Sequence, residues 1–587
     1  MRNLTIVSTA ALALTLAGCA TRPSGSEEIV LTGAKAGTAE QGAADAGDES
    51  ASIVVAGRTA GSQAPPPPPA PHPPGVMSTP VAPSSLASST SGFSLANKGG
   101  PRRYVPSVIV PADPGRERYD GKGVSPVQLA ASDPVSTFSV DVDTGAYANS
   151  RRFLSQGQLP PRDAVRSEEL INYFRYDYPL PATREAPFSV TSDVAATPWN
   201  PATRLLRIGL RGYDLPRASR PPANLVFLVD VSGSMASSDK LPLVKTALAG
   251  LADELSPRDK VSIVVYAGAA GLVLPASGDK REIVAALDRL SAGGSTAGGA
   301  GLQLAYQVAR DNFIKGGVNR ILLATDGDFN VGVSDSKALI AMVVKERDAG
   351  VTLTTLGFGQ GNYNEAMMEQ VADHGNGNYA YIDSALEARK VLAEQMSSTL
   401  FTIAKDVKIQ VEFNPAKVAQ YRLLGYENRA LREEDFNNDK VDAGDIGAGH
   451  QVTAIYEIVP VGAKGWIEPR RYGDAAPVAA GRGSELAFVK LRYKLPDGTT
   501  SKLIERAIPA TMLANARAPS GDMAFATAVA AFGQKLRGDP LLGELTYAGI
   551  AGLASGQRDY YRQEFAKLVA IAGSLDTRVL AAAGGDD

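Results

Sequence analysis

The chain has 587 residues, of which 44% are hydrophobic and 21% are charged, and its formal net charge is −3. This length suits about two to four domains, and nothing in the near-neutral balance indicates nucleic-acid binding, which would call for a basic patch or stripe. Only three histidines occur, far apart in the sequence, which excludes a histidine-rich zinc centre.

The N-terminus has the layout of an export signal. Arg2 supplies a positive charge, residues 4–16 are apolar but too few to span a bilayer, and small residues precede Cys19, the only cysteine. The run Leu-Ala-Gly-Cys ending at Cys19 resembles the signal of bacterial lipoproteins; an ordinary secretory signal is the alternative. The resemblance implies that Cys19 is acylated, for example with palmitate, and becomes the new N-terminus. Ala20 follows rather than an acidic residue, which implies anchoring in the outer membrane of a Gram-negative cell envelope.

Ser, Gly, Ala and Pro dominate residues 20–100, which include a proline-rich run at 65–74. Such a composition cannot bury a core, so it predicts a disordered tether with a stiffer polyproline II piece in its middle. A spacer is the main interpretation, and a ligand for a proline-recognising domain is the alternative.

The following segment predicts a small β-rich unit with a few helices. Phe138, Val140 and Val142 alternate with polar residues as in a strand, and helical periodicity begins near Tyr147. Further predicted elements are a helix entered through two prolines and two strands, at 160–174, 188–194 and 205–210.

From Asn224 to about residue 400, strands that are apolar throughout alternate with amphipathic helices. This rhythm predicts a parallel sheet covered on both faces, with ligands at the carboxyl ends of its strands. The predicted strands are 224–230, 260–268, 319–327, 351–359 and 377–383. The predicted helices are 239–255, 279–291, 299–313, 334–350, 364–375 and 384–400.

Beyond this block the pattern changes to alternating strands and then returns to helix. The predicted elements are antiparallel strands at 407–414, 450–460 and 484–496, followed by helix across 523–571.

Polar residues collect at the predicted carboxyl edge of the sheet. Asp230 ends the first strand, Ser232 and Ser234 follow in the turn, Thr296 lies in a glycine-rich loop before a helix, and Asp326 ends another strand. All three segments are loops at the same sheet edge, so these side chains can converge. Hydroxyls and carboxylates alone form a shell for a hard cation, which favours Mg²⁺, with Mn²⁺ or Ca²⁺ as alternatives, over Zn²⁺.

The pattern Asp-x-Ser-x-Ser at 230–234, with Thr296 and Asp326, resembles the metal-ion-dependent adhesion site of von Willebrand factor type A (VWA) domains. The flanking stretches 136–174 and 433–450 resemble those of a bacterial lipoprotein subfamily that carries such a domain. The resemblance implies an α/β fold with a doubly wound, mainly parallel, Rossmann-like sheet, and β-rich or α+β regions on either side.

The resemblance also implies a mechanism of binding rather than catalysis. Ser232, Ser234 and Thr296 would contact the metal ion, and Asp230 and Asp326 would hold it largely through waters. An Asp or Glu of a partner protein, itself unidentified, would then complete the coordination sphere. A metal ion that only stabilises the fold is the alternative.

An enzyme is the competing class. Asp143-Thr144-Gly145 copies the aspartic-protease triplet, but a single copy works only in a dimer that pairs two carboxyl groups. The serines lack the Gly-x-Ser-x-Gly context of hydrolases. The stretch 357–362 hints at a phosphate loop but is interpreted as a strand-to-helix turn. We therefore assign no catalytic residue.

Residues 435–445 place oxygen-bearing side chains at alternate positions, like the start of an EF-hand loop. Lys440 stands where that loop needs glycine, and Ile446 where it needs glutamate. A polar hairpin loop is the main prediction and calcium binding the alternative.

The sequence thus predicts five segments: a signal peptide, a disordered tether, an N-terminal flanking region, a VWA domain, and a C-terminal region that is β-rich and then helical, at 1–18, 19–104, 105–222, 223–400 and 401–587.

Overall fold

A computed structural model describes residues 117–140, 142–183, 185–294, 298–327, 336–361, 363–468 and 483–583. The predicted signal peptide, Cys19, the tether and Thr296 lie outside these residues. None of the helices in the described ranges is both long enough and apolar enough to cross a membrane.

The N-terminal flanking region contains short helices and strands that form sheets together with strands of the C-terminal region. The helix predicted at 160–174 is divided. After the two prolines comes a short 3₁₀ turn at Arg162–Ala164, and the α-helix itself covers only Ser167–Asn172. The elements are β1 (Gln128–Leu129), β2 (Val135–Ser139), α1 (Gly145–Ser155), α2 (Ser167–Asn172), β3 (Phe188–Ala196) and β4 (Arg204–Gly212).

The middle of the chain contains the alternating strands and helices that the sequence predicts. The strands are β5 (Ala223–Asp230), β6 (Lys260–Tyr266), β7 (Ala270–Ser277), β8 (Val318–Thr325), β9 (Thr352–Phe358) and β10 (Tyr379–Ile382). The helices are α3 (Leu241–Glu254), α4 (Lys280–Asp288), α5 (Gly298–Asp311), α6 (Ser336–Asp348), α7 (Glu365–His374), α8 (Ala385–Arg389) and α9 (Met396–Leu400).

These strands form one sheet in the order β10-β9-β8-β5-β6-β7, parallel except for the edge pair β6–β7. Alternate residues of β5 pack on opposite faces. Phe227 and Val229 belong to the core that includes α3 and α4, whereas Val226 and Leu228 pack with α5 and α6. The doubly wound α/β fold is thereby confirmed.

The predicted closing helix at 384–400 is divided. A π-helical turn at Lys390–Glu394 separates α8 from α9. Lys390 is buried in this turn, and its Nζ donates to the Tyr173 carbonyl at 2.9 Å and lies 2.7 Å from the centre of that ring. The wider turn thus coincides with a contact to the N-terminal flanking region.

The C-terminal region contains β11 (Thr402–Phe413), β12 (Val418–Leu423), β13 (Ala430–Leu431), β14 (Ile446–Gly447), β15 (Gln451–Pro460), β16 (Glu485–Lys494), β17 (Lys502–Pro509), α10 (Thr511–Ala514), α11 (Gly521–Arg537), α12 (Tyr547–Leu553) and α13 (Tyr560–Ala583). Its strands combine with those of the N-terminal region in two antiparallel sheets, β1-β12-β15-β4-β3 and β13-β2-β11-β16-β17. The α/β segment is therefore inserted between the two halves of a shared scaffold.

The C-terminal helices close over the N-terminal ones through aromatic packing. Tyr147 stacks on Tyr173 at 3.8 Å between ring centres, and Phe174 meets Phe525 edge-on at 4.9 Å. Two regions far apart in sequence thus share a core.

Candidate functional site

Asp230 ends β5 and is fully buried. Its Oδ1 accepts a hydrogen bond from the Ser232 amide at 2.9 Å, and its Oδ2 accepts one from the Thr325 hydroxyl at 3.0 Å. Burial, and to a smaller extent the charge of Asp326, raises the pKa of Asp230. The side chain is an oriented, poorly solvated carboxyl group whose charged form a nearby cation would stabilise.

Ser232 and Ser234 differ in exposure but point the same way. Ser232 is buried and Ser234 is exposed, and their Oγ atoms lie 3.0 Å apart. Adjacent ligands of an octahedral Mg²⁺ at about 2.1 Å are themselves about 3.0 Å apart. The two hydroxyls therefore have the spacing that two neighbouring positions of a magnesium shell require.

Asp326 follows β8 and is buried beside a cation of the chain itself. Its Oδ2 accepts a hydrogen bond from Lys240 Nζ at 2.9 Å. Lys240, at the N-cap of α3, was not identified in the sequence as part of the site. A signal existed, because a helix N-terminus disfavours a positive charge and a lysine there needs an acidic neighbour.

Thr296 lies outside the described residues, but the loop that leads to it is tied to the Asp230 turn. The Gly293 amide donates to the Val231 carbonyl at 2.8 Å, and the Gly233 amide donates to the Gly294 carbonyl at 3.0 Å. The structure thus brings Asp230, Ser232, Ser234 and Asp326 to one sheet edge, with the start of the third loop alongside.

These donors fit a hard divalent cation in type, and the two serine hydroxyls also fit it in spacing. In the described ranges, no group of three or more His, Cys, Asp or Glu side chains could hold a metal ion. The predicted set contains only two carboxylates, and its other donors are hydroxyls, so it does not depend on such a group.

Asp143 is buried and engaged in structural contacts. Its Oδ1 accepts from the Tyr379 amide at 2.8 Å, and its Oδ2 accepts from Arg429 at 3.0 Å. The same guanidinium binds Asp373 at 2.6 Å. An aspartic-protease pair shares a proton between two carboxyl groups, whereas here an arginine links the two acids.

Residues 435–445 do not form the predicted hairpin, because β13 pairs with β2 and β14 pairs with β11 instead of with each other. The oxygen side chains turn to different partners. Asp435 pairs with Arg432 at 3.0 Å, and Asp439 pairs with Arg492 at 3.0 Å. The separate pairings give the EF-hand alternative no support.

The glycine-rich stretch that begins at Gly357 connects the end of β9 to the start of α7, as predicted for a strand-to-helix turn. Gly359 has a positive φ of 70°, and a Cβ there would lie 2.3 Å from Lys240 Cγ. This turn therefore provides the surface along which the Lys240 side chain runs toward Asp326.

Models of known families match three successive parts of the chain. A model of the von Willebrand factor type A domain matches residues 224–395, and one described as von Willebrand factor matches residues 113–207. A third, for the C-terminal part of the uncharacterized protein YfbK, matches residues 398–575. The recognition of a VWA domain between flanking regions is thereby confirmed.

The chain is also similar to individual proteins. The chain is 50% identical over 477 residues to the uncharacterized protein YfbK of Escherichia coli (strain K12), covering 79% of this chain and 82% of that protein. It is 30% identical over 198 residues to the human inter-alpha-trypsin inhibitor heavy chain H4, covering 31% of this chain and 21% of that protein. Among solved structures, a von Willebrand factor type A protein from Catenulispora acidiphila is 18% identical, with a TM-score of 0.34 and coverage of 59% and 79%. Because half of the aligned residues are identical to YfbK over most of both chains, the protein belongs to the YfbK family, with a VWA domain at its centre.

Proposed function

We propose that the protein is a metal-dependent binding module of the cell envelope, anchored through Cys19. It would recognise an Asp or Glu of a partner protein through Mg²⁺ held by Asp230, Ser232, Ser234, Thr296 and Asp326. Mn²⁺ or Ca²⁺ could take the same place. When bound, the ion supplies a hard Lewis acid that a carboxylate can reach.

The observation that carries this proposal is the layering of the site. The two carboxylates lie buried beneath the sheet edge, whereas Ser234 is exposed beside its partner hydroxyl at 3.0 Å. Buried acids supply attraction for a cation, and the exposed, neutral Ser234 hydroxyl leaves its outer side open to an incoming anionic ligand. A site built only for stability would gain by enclosing the ion on that side too.

The contacts of Asp143 speak for binding rather than hydrolysis. Each of its oxygens accepts a hydrogen bond, Oδ1 from the Tyr379 amide and Oδ2 from the Arg429 guanidinium. A catalytic role would first require these contacts to break.

The first test is the effect of Mg²⁺ on thermal unfolding. A ligand that binds only the folded state stabilises it by about 2.7 kcal/mol at 100 times its Kd, so we expect the Tm of the wild-type protein to rise by a few degrees. Asp230→Asn should abolish this rise, because it removes half of the acidic charge at the site. Asp253→Asn, which removes the same charge from the exposed end of α3, should retain it.

A wild-type Tm that is unchanged by Mg²⁺, Mn²⁺ and Ca²⁺ would refute the metal site. Binding of fluorescent Asp- or Glu-containing peptides, with Mg²⁺ and with EDTA, then separates recognition from stabilisation. Metal-dependent anisotropy that is lost in the Ser232→Ala/Ser234→Ala variant supports recognition. A Tm shift without any such peptide binding would leave a metal ion with a structural role.

A further inference from the structure

Lys240 is a buried cation held in contact with one of the two acids of the candidate site. Its Nζ lies 2.9 Å from Asp326 Oδ2, with side-chain exposures of 8% and 0% for the two residues. An exposed ion pair can separate into water, but a buried one has no comparable alternative. The Lys240 amino group is thus held directly beside Asp326.

The path of the Lys240 stem is fixed as well. It runs against the turn at Gly359, where even a single added carbon would lie 2.3 Å from Lys240 Cγ. The Tyr381 hydroxyl fixes this loop, because it donates a hydrogen bond to the Gly359 carbonyl at 2.6 Å. The Lys240 side chain is therefore packed closely against this loop and is shielded from solvent.

The consequence is a change in the charge of the site. Asp230 and Asp326 together carry −2 when ionised, and Lys240 brings this described set to −1. A divalent ion then changes it to +1, whereas without the lysine the same ion would only neutralise it. The lysine repels the incoming ion but leaves the loaded site with a net attraction for a carboxylate.

We propose that Lys240 is a built-in counter-charge that weakens the binding of the metal ion alone and couples it to the binding of an acidic ligand. This inference rests on the proposed function. It adds that metal ion and ligand bind cooperatively, so that the site is filled mainly when both are present.

The test is direct measurement of bound Mn²⁺ by electron paramagnetic resonance on the full chain. Lys240→Met removes the charge and keeps an unbranched stem, and we expect it to lower the Kd for Mn²⁺ roughly tenfold or more, since the lost charge contacts Asp326, one of the two acids that would hold the ion. Lys245→Met removes the same charge from the same helix, where that lysine instead donates to the Asp288 carbonyl. This control should leave the Kd unchanged. A gain of affinity is not what damage to the fold would produce.

The second measurement repeats the Mn²⁺ titration in acetate, with sodium chloride at equal ionic strength as the reference. Acetate should lower the Kd for Mn²⁺ in the wild-type protein and do so less in Lys240→Met. The substitution is thus expected to change the two affinities in opposite directions: Lys240→Met binds the metal ion more tightly than the wild-type protein does, but the metal-loaded variant binds the carboxylate less tightly.

The outcomes separate the two proposals. A wild-type protein that binds no Mn²⁺ would refute the proposed function together with this inference. Wild-type binding with an unchanged or raised Kd in both Lys240→Met and Lys240→Gln would overturn only the role of Lys240. If neither variant folds by circular dichroism, the wild-type protein alone decides, because a Kd for Mn²⁺ that is insensitive to acetate contradicts the predicted coupling.

Discussion

Single side chains at the junction of α2 and α7 show how the protein handles buried charge. Arg166 faces three buried carboxyl groups, at 2.6 Å from Glu369, 3.3 Å from Glu169 and 4.0 Å from Glu365. Glu369 has a second cationic partner in Arg429 at 3.2 Å, whereas Glu365 lies farthest from Arg166 and is fully buried. Burial accordingly raises the pKa of Glu365 to about 8.

A dependence of stability on pH follows. The unfolded chain releases the Glu365 proton above its ordinary pKa of 4.5, but the folded chain holds it up to about 8. Within this window the folded state binds more protons, so its free energy of unfolding falls as pH rises. Glu365→Gln should reduce the decrease in the free energy of unfolding between about pH 5 and pH 8 by up to a few kcal/mol. The measurement is urea denaturation at both pH values.

Glu434→Gln provides the matched control, because that side chain is 67% exposed. It should reproduce the wild-type slope. Equal slopes for wild type and Glu365→Gln would show that Glu365 is ionised in the folded protein, contrary to this prediction.

The residues of the candidate site differ in how far sequence reasoning could reach them. Asp230, Ser232, Ser234 and Asp326 were identifiable because short spacing and strand ends determine where they lie. For Lys240 the sequence offers only an indirect signal, a lysine at a helix N-terminus, and it does not indicate Asp326 as the partner, since their contact depends on how α3 packs against the turn after β9. Contacts between loops of separate strands are a property of packing, which a linear pattern does not encode.

At the level of elements, burial decided which could be predicted. The strands β5, β6, β8 and β9 are covered on both faces and each contains a mainly apolar run, so their sequences mark them clearly. The edge strand β7 was missed, because it is largely uncovered and contains Gly271 and Pro275. The π-helical turn was missed as well, because the apolar periodicity continues across it.

The contact between α5 and β6 is close enough to test. A Cβ at Gly301 would lie 2.7 Å from Tyr266 Cβ, so Gly301→Ala must push the helix away from the sheet. We expect a loss of about 1–3 kcal/mol in the free energy of unfolding, measured by urea denaturation.

Gly250→Ala in α3 is the control, because nothing lies within 4 Å of the added carbon there. It should be neutral or stabilising by about 0.5–1 kcal/mol, since alanine favours a helix over glycine. Similar losses in both variants would mean that helix propensity, not the approach to Tyr266, governs Gly301.

At the scale of the whole molecule, a buried ionic group joins the shared sheet to the helical end. Arg422 of β12 binds Glu457 of β15 at 2.8 Å and Asp539, just beyond α11, at 2.6 Å. The side chains of all three are fully buried. Each acid depends on this one guanidinium as its cationic partner in the ion pairs described.

Arg422→Met should therefore destabilise the protein by about 3–5 kcal/mol, because it leaves two buried carboxylates without their counter-ion. The measurement is urea denaturation at neutral pH. Arg389→Met breaks a pair with Glu394 whose side chains are 71% and 45% exposed, and should cost about 1 kcal/mol or less. A loss for Arg422→Met as small as that of the control would contradict the role assigned to this group.

The inserted position of the α/β segment has a consequence for the order of folding. Its sheet uses strands only from Ala223 to Ile382, so its pairings are complete before the C-terminal region is synthesised. The strands β2 and β4 must wait, because their partners β11 and β15 come after that segment. Pairings between such distant strands are slow to form and leave strand edges uncovered meanwhile. A chain that terminates between β10 and β11 would thus carry the strands of a complete central sheet while β2 and β4 lack these later partners.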